Sequence, residues 1–165
     1  MADLVFNKDL VFLDIEAKDN MEALDKVAKK LYEAGNVKES YINAVKEREK
    51  VFATGLPADP DNPSTGLSVA VPHTDVEHVN VQSLVVATLK NPVTFNVMAG
   101  AGETCQVSIL FMLALKEPHQ QLTMLQTVIS LIQQKETLEE ILKKGDKDKI
   151  VEIVLEEYNK QVEEA

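Results

Sequence analysis

The sequence predicts an α/β domain in three layers, with helices on both faces of a central sheet. Three runs are short and apolar on both faces, as the central strands of such sheets are, namely residues 67–71, 81–89 and 106–115. Apolar residues recur at helical spacing before and after these runs. The chain has 165 residues, which suits one domain with a sizeable core, so we expect a single domain over residues 1–165.

The first part of the chain predicts one strand and two helices. Residues 10–15 have the composition of a short strand. Asp19 or Asn20 can cap a first helix, which Gly35 ends. Ser40 is expected to cap a second helix.

The remaining segments predict loops and further helices. Residues 54–66 contain three prolines and two glycines, which oppose helix and strand pairing and predict a long loop, often a functional feature. Residues 92–104 indicate a short extended piece and a glycine-rich turn. A helix is expected from Pro118, and Thr137 and Asp146 can cap two more.

The charge of the chain argues against two classes of partner. Its 17 basic and 27 acidic residues give a net charge of −10, which repels nucleic acid and anionic membranes. An acidic surface could attract a basic protein, although it also simply serves solubility. We expect no secretion signal, because the first residues lack a basic segment followed by a long apolar one. We expect no membrane insertion, because the longest apolar run, residues 109–115, is too short to cross a bilayer. The single cysteine, Cys105, fits a reducing cytoplasm.

Two of the three histidines stand at boundaries of predicted elements. His73 follows a buried strand and a proline, and His119 lies between a buried strand and the start of a helix. Side chains at the ends of neighbouring central strands can converge at one edge of a sheet, a usual place for sites in such folds. Imidazole can be neutral and nucleophilic near pH 7. The competing interpretation is that each histidine is an ordinary solvated loop residue.

The histidine-rich segment and the cysteine carry weaker hypotheses. His73, Asp75 and His78 are residue types that suit zinc, but their spacing matches no usual zinc signature, so we expect no metal. Cys105 has no basic neighbour in the sequence to lower its pKa. A buried, inert thiol is therefore the expected role of Cys105.

One further residue, Arg48, is a candidate for anion binding. Glycine motifs for nucleotides are absent from the sequence, and Ser64 and Ser68 lack the elbow pattern of serine hydrolases. Arg48 lies near the end of the second predicted helix, just before the proline-rich segment. As a surface arginine it would be ordinary, but near an imidazole its planar guanidinium can grip a phosphoryl group.

Three segments occur in an order that matches a known family: EREKVFATGL, GLSVAVPHTD and ILFMLALKEPHQQLTMLQTV. Over residues 10–142 the chain resembles the enzyme IIA domain of the mannitol/fructose-type sugar phosphotransferase system (PTS). The TGL and PHTD segments resemble the galactitol-like branch of that family. The resemblance implies a sandwich with a central mixed sheet flanked by helices, in a cytoplasmic bacterial protein.

The resemblance also implies a phosphocarrier for coupled uptake of a sugar or polyol. In such domains the histidine of the PH segment, His73 here, takes a phosphoryl group from the carrier HPr and passes it to a cysteine of enzyme IIB. The arginine beside that histidine is Arg48 here, and a second, supporting histidine of many members is His119. Asp75 and His78 match no functional position of the family. The resemblance implies no metal and no other cofactor.

Two other functions remain open at the level of sequence. The first is a regulatory module that keeps the fold and whose phosphorylation state controls its binding to other proteins. The second is a metal-dependent enzyme that uses the HTDVEH segment.

Overall fold

The structure is a computed structural model that describes residues 4–58 and 67–164. Within these ranges the chain forms five strands and five helices. The strands are β1 (Val11–Ile15), β2 (Gly55–Leu56), β3 (Ser68–Ala70), β4 (Ser83–Asn96) and β5 (Thr104–Ala114). The helices are α1 (Asn20–Glu33), α2 (Ser40–Val51), α3 (Pro118–Ile132), α4 (Lys135–Lys144) and α5 (Lys147–Glu164). Short 3-10 turns occupy Lys8–Leu10 and Val76–His78.

The five strands form one mixed sheet in the order β1-β4-β5-β3-β2. β1 is parallel to β4, and β3 is parallel to β5, whereas the β4–β5 and β2–β3 pairs are antiparallel. The helices form two groups: α1 packs against α2, and α3 packs against α4 and α5. Because residues 83–89 of β4 are buried on both faces, the sheet is the middle layer. The predicted α/β class with a mixed central sheet is confirmed.

The caps of the helices follow the sequence prediction in part. Asp19 caps α1, since its carboxylate accepts from the backbone N–H of Glu22 at 2.8 Å. Asp146 likewise accepts from the N–H of Lys149 at 3.2 Å, in the first turn of α5. The predicted caps at Ser40 and Thr137 are wrong. Ser40 lies inside the first turn of α2, where its hydroxyl bonds another side chain, and Thr137 lies inside α4.

The strand predicted over residues 81–89 and the extended piece predicted within residues 92–104 form one continuous strand in the structure. β4 continues without a break to Asn96, and its pairing with β5 shifts in register between Thr88 and Val93. Lys90, Asn91 and Pro92 are exposed at that irregularity. This irregularity accommodates Pro92, which could not donate to a regular ladder.

The predicted loop over residues 54–66 begins later than expected. Gly55 and Leu56 form β2, which pairs with Ala70 and Val69 of β3. Gly55 allows this close approach: a Cβ there would lie 2.6 Å from the carbonyl oxygen of Asn96. The rest of that segment, residues 59–66 with Ser64, lies outside the described residues. No helix in the described part of the chain is long and apolar enough to span a membrane.

Candidate functional site

The site forms where the chain leaves the buried strand β3. Val71 and Pro72 continue from the strand in buried positions, and His73 follows, partly buried. The carbonyl of Pro72 accepts from the N–H of Leu113 in β5 at 2.9 Å. The sheet therefore holds the backbone up to the residue before His73.

A backbone carbonyl fixes the proton of His73. The Nδ1 atom of His73 lies 2.8 Å from the carbonyl oxygen of Val71. A carbonyl can only accept, so in the neutral ring Nδ1 carries the hydrogen and Nε2 keeps its lone pair. The bond thus presents Nε2 as the nucleophilic atom, and it identifies the orienting group that the sequence leaves open.

His73 opens on a cavity of about 680 Å³. The cavity brings together His73 and Arg48, the two residues that the sequence pairs by family resemblance. Most of its other walls are apolar side chains and backbone from the end of α2, the β4–β5 turn and α3. Its lining includes Arg48, Thr54, His73, Val97, Met98 and Leu125.

Arg48 occupies the last turn of α2 and is held by two neighbours. Its Nη2 forms an ion pair with the Oδ1 atom of Asp75. Its guanidinium carbon also lies 5.6 Å from the centroid of the Phe52 ring, within cation–π range. Asp75 has no assigned role in the sequence analysis. The two residues are 27 positions apart, and no local pattern connects them.

The buried carboxyl group of Glu49 holds Thr54, whose backbone in turn bonds the segment that leads to His73. Glu49 is 4% exposed and accepts two bonds from Thr54, from the N–H at 2.7 Å and from the hydroxyl at 2.6 Å. The carbonyl of Thr54 accepts from the N–H of Val71 at 3.2 Å. Burial raises the pKa of Glu49, and the bonds from Thr54 oppose that shift. Glu49 was not among the predicted site residues, because a glutamate in a charged helical segment is typical of a solvated face.

The predicted supporting histidine lies outside the cavity lining. His119 is exposed in the first turn of α3, and its carbonyl accepts from the hydroxyl of Thr123. From the same helix, Gln121 and Leu125 line the cavity instead. A supporting role of His119 remains a prediction.

The members of the HTDVEH segment have separate partners. Asp75 pairs with Arg48, while the Nδ1 atom of His78 lies 2.8 Å from the hydroxyl of Ser40. His78 thereby ties its turn to the first turn of α2. Residues 4–58 and 67–164 contain no group of three His, Cys, Asp or Glu side chains arranged to hold a metal ion.

Cys105 lies in the core behind the site, not in the cavity. It is 1% exposed, and burial raises the pKa of its thiol. The neighbouring Ser68 hydroxyl opposes this shift, whereas the negative charge of Glu49 adds to it. A thiol in such surroundings is a poor nucleophile.

The chain is similar in sequence to a family of phosphotransfer components and to a transcriptional regulator. Residues 4–157 match the family described as the phosphoenolpyruvate-dependent sugar phosphotransferase system, EIIA 2. A mannitol-specific phosphotransferase enzyme IIA component of Staphylococcus aureus is 35% identical over 78 residues, which are 47% of this chain and 48% of that protein. The transcriptional regulator ManR of Bacillus subtilis is 31% identical over 114 residues, which are 69% of this chain but 15% of that protein. The match thus spans about half of the first protein and a small part of the second.

The fold is similar to that of a solved enzyme IIA. That structure is the complex of enzyme IIAMTL and phosphorylated enzyme IIBMTL from Escherichia coli, with a TM-score of 0.70 and 20% identity. The likeness covers 92% of this chain and 98% of that one. Together with the match over residues 4–157, it leads to one conclusion. The chain belongs to the EIIA 2 family of the phosphoenolpyruvate-dependent sugar phosphotransferase system.

Proposed function

We propose that the chain is a PTS phosphocarrier that takes a phosphoryl group from phospho-HPr on His73 and passes it to a cysteine of enzyme IIB. The observation that carries this proposal is the bond between His73 Nδ1 and the Val71 carbonyl. It leaves Nε2 as the nucleophile at a cavity that Arg48 also lines. The proposed nucleophile, His73, and the proposed phosphoryl-binding cation, Arg48, therefore line the same cavity.

The transfer exchanges one P–N bond for another. The lone pair of His73 Nε2 forms the new bond to phosphorus, and the electron pair of the broken bond stays on the donor nitrogen. In the transition state, negative charge is spread over the three equatorial oxygens of the phosphoryl group. The guanidinium of Arg48, which lines the same cavity, stabilises that charge electrostatically.

The apolar walls of the cavity suit a carrier that must keep its phosphoryl group. A phosphohistidine is hydrolysed if water reaches the phosphorus in line with the P–N bond. Val97, Met98 and Leu125 reduce the number of groups that would order such a water. The docked partner protein would complete this exclusion.

The proposed partners agree with the charge of the chain. A net charge of −10 favours encounter with a basic face, which the family resemblance assigns to HPr. The E. coli complex of a related fold with phosphorylated enzyme IIB supports enzyme IIB as the acceptor. We place the protein in the bacterial cytoplasm as a single domain, and a polyol or related sugar as the cargo of the system.

The test is intact-mass analysis after incubation with enzyme I, HPr and phosphoenolpyruvate. We expect one acid-labile phosphoryl group on the wild-type protein and none on His73→Gln. The matched control is His78→Gln, which removes a histidine five residues away and should keep the label. A label that persists in His73→Gln would refute the assignment. His119→Gln, run beside them, measures whether that histidine supports the transfer.

A second candidate function is a regulatory module, which the similarity to the transcriptional regulator ManR favours. In this case phosphorylation of His73 would change binding to another protein domain and not feed a transporter. Transfer from the phosphorylated chain to the cysteine of a cognate enzyme IIB distinguishes the two. Rapid transfer supports the carrier, and a stable phosphoprotein in the presence of enzyme IIB supports the regulator.

A further inference from the structure

Arg48 has a carboxylate partner before any phosphoryl group arrives. It is the only arginine in the sequence, so the site has one guanidinium to offer. Its Nη2 is paired with Asp75, two residues after His73. Asp75 therefore needs an explanation that goes beyond the pairing of two surface charges.

The carboxylate of Asp75 makes no bond that its own turn requires. Asp75 stands directly before the 3-10 turn Val76–His78, where a carboxylate could cap the turn, yet no such side-chain bond is present. Its backbone carbonyl accepts from the N–H of His78 instead. The side chain is directed to Arg48.

Arg48 lies at the boundary between two depressions of the surface. It lines the cavity of His73, and it also lines a neighbouring groove that contains Asp75 and His78. One edge of its guanidinium faces Asp75, and the Phe52 ring covers part of it. A phosphoryl group on His73 Nε2, with nearly two negative charges, would compete for the same cation.

We propose that Asp75 is a positioning residue that holds Arg48 in the unphosphorylated protein and competes with the phosphoryl group for it. This inference rests on the proposed function of His73. The competition raises the free energy of the phosphorylated form and so favours release of the group to the next protein. A carrier needs both directions of transfer to be easy, and a carboxylate beside the cation prevents Arg48 from holding the phosphoryl group too tightly.

The exposure of the Arg48–Asp75 pair sets the size of the expected change in the transfer equilibrium. The side chains of Arg48 and Asp75 are 30% and 58% exposed, so solvent screens their interaction. Removing the competitor should therefore change the transfer equilibrium by about two- to fivefold, the range of exposed ion pairs.

The first measurement is the equilibrium between phospho-HPr and the chain, for wild type, Asp75→Asn and Glu77→Gln. We expect Asp75→Asn to favour the phosphorylated chain by about two- to fivefold over wild type. Glu77→Gln is the matched control, because it removes the same charge from the same turn. The Glu77 carboxylate contacts His78 at 3.5 Å and has no described bond to Arg48. Equal constants for Asp75→Asn and Glu77→Gln would overturn the inference.

The second measurement observes Arg48 itself. A chain with one arginine gives one Nε–Hε signal in a ¹H–¹⁵N spectrum. We expect this signal to move in unphosphorylated Asp75→Asn and to move in wild type when His73 is phosphorylated by phosphoramidate, a donor that needs no partner protein. An unchanged signal in both cases would overturn the inference that Arg48 exchanges Asp75 for the phosphoryl group.

The two proposals fail in different ways. If neither phospho-HPr nor phosphoramidate labels His73 in the wild-type chain, the proposed function is wrong and the competition falls with it. If His73 is labelled but Asp75→Asn behaves as wild type, only the role of Asp75 is wrong.

Discussion

Substitution of Gly55 by alanine tests the close packing of β2 behind the site. An added Cβ would lie 2.6 Å from the Asn96 carbonyl oxygen, 2.9 Å from the Cys105 sulfur and 3.2 Å from the Phe95 Cβ. The nearest of these atoms belongs to the backbone, which cannot rotate away from the contact as a flexible side chain can. The first distance is about 0.8 Å short of the 3.4 Å at which ordinary contact begins, so β2 must move away from β4.

That movement has a cost that the structure allows us to estimate. Overpacking of this kind costs about 1–3 kcal/mol. The carbonyl of Gly55 also accepts from the N–H of Met98 at 2.8 Å, and lengthening this bond adds about 1 kcal/mol. We therefore expect Gly55→Ala to lower the free energy of unfolding by about 2–4 kcal/mol and the Tm by roughly 5–12 °C.

The assay is urea unfolding followed by far-ultraviolet circular dichroism, with two companion variants. Gly102→Ala is the control, because φ is +83° there and no atom lies within 4 Å of an added Cβ. It should cost only the backbone strain of about 1 kcal/mol. Cys105→Ala in the Gly55→Ala background removes the sulfur contact but not the backbone contact, so it should restore less than half of the loss. Wild-type stability of Gly55→Ala, or full rescue by Cys105→Ala, would refute the reasoning.

The remaining predictions concern three buried polar residues. Glu49→Ala leaves two donors of Thr54 without their acceptor and should cost about 2–4 kcal/mol in urea unfolding, whereas Glu49→Gln, which keeps one acceptor, should cost less. Because the folded pKa of Glu49 is raised, its charge costs stability as pH rises from the ordinary glutamate value of 4.5 through the raised value. Urea midpoints measured across that window should therefore fall less in Glu49→Gln than in wild type; equal slopes would contradict the shift. Tyr41→Phe removes the bond from its buried hydroxyl to the Leu113 carbonyl at 2.5 Å and should cost about 1 kcal/mol, and an unchanged urea midpoint would show that this bond contributes nothing. The buried thiol of Cys105, with its raised pKa, should react with an aromatic disulfide reagent only slowly until the protein unfolds; fast labelling of the native protein would count against its burial.

The architecture was predictable because local patterns decide it. Continuous apolar runs identify buried strands, and helical spacing with a cap such as Asp19 identifies helices. The continuation of β4 through residues 90–92 was not predictable, because it depends on β5 alongside, which tolerates a shift in register. β2 was missed for the same reason. Two residues form a strand only because β3 lies beside them.

The candidate site was predictable from sequence only as far as its residues resemble a known order. His73 and Arg48 were predicted as site residues in this way, and both line one cavity in the structure. The bond from His73 to a carbonyl, the ion pair with Asp75 and the support from Glu49 all depend on the path of the chain in space. No spacing rule in the sequence encodes these contacts, so they could be recognised only from the three-dimensional structure.

The backbone of Val71 has a consequence for how this protein can diverge. Its N–H binds the Thr54 carbonyl and its carbonyl binds His73, while its side chain takes no part in either bond. Any residue other than proline supplies both groups, so an apolar substitution at buried position 71 that the core accepts leaves the hydrogen bond to the imidazole in place. The ring nitrogen of His73 that carries the proton is thus determined by the course of the main chain.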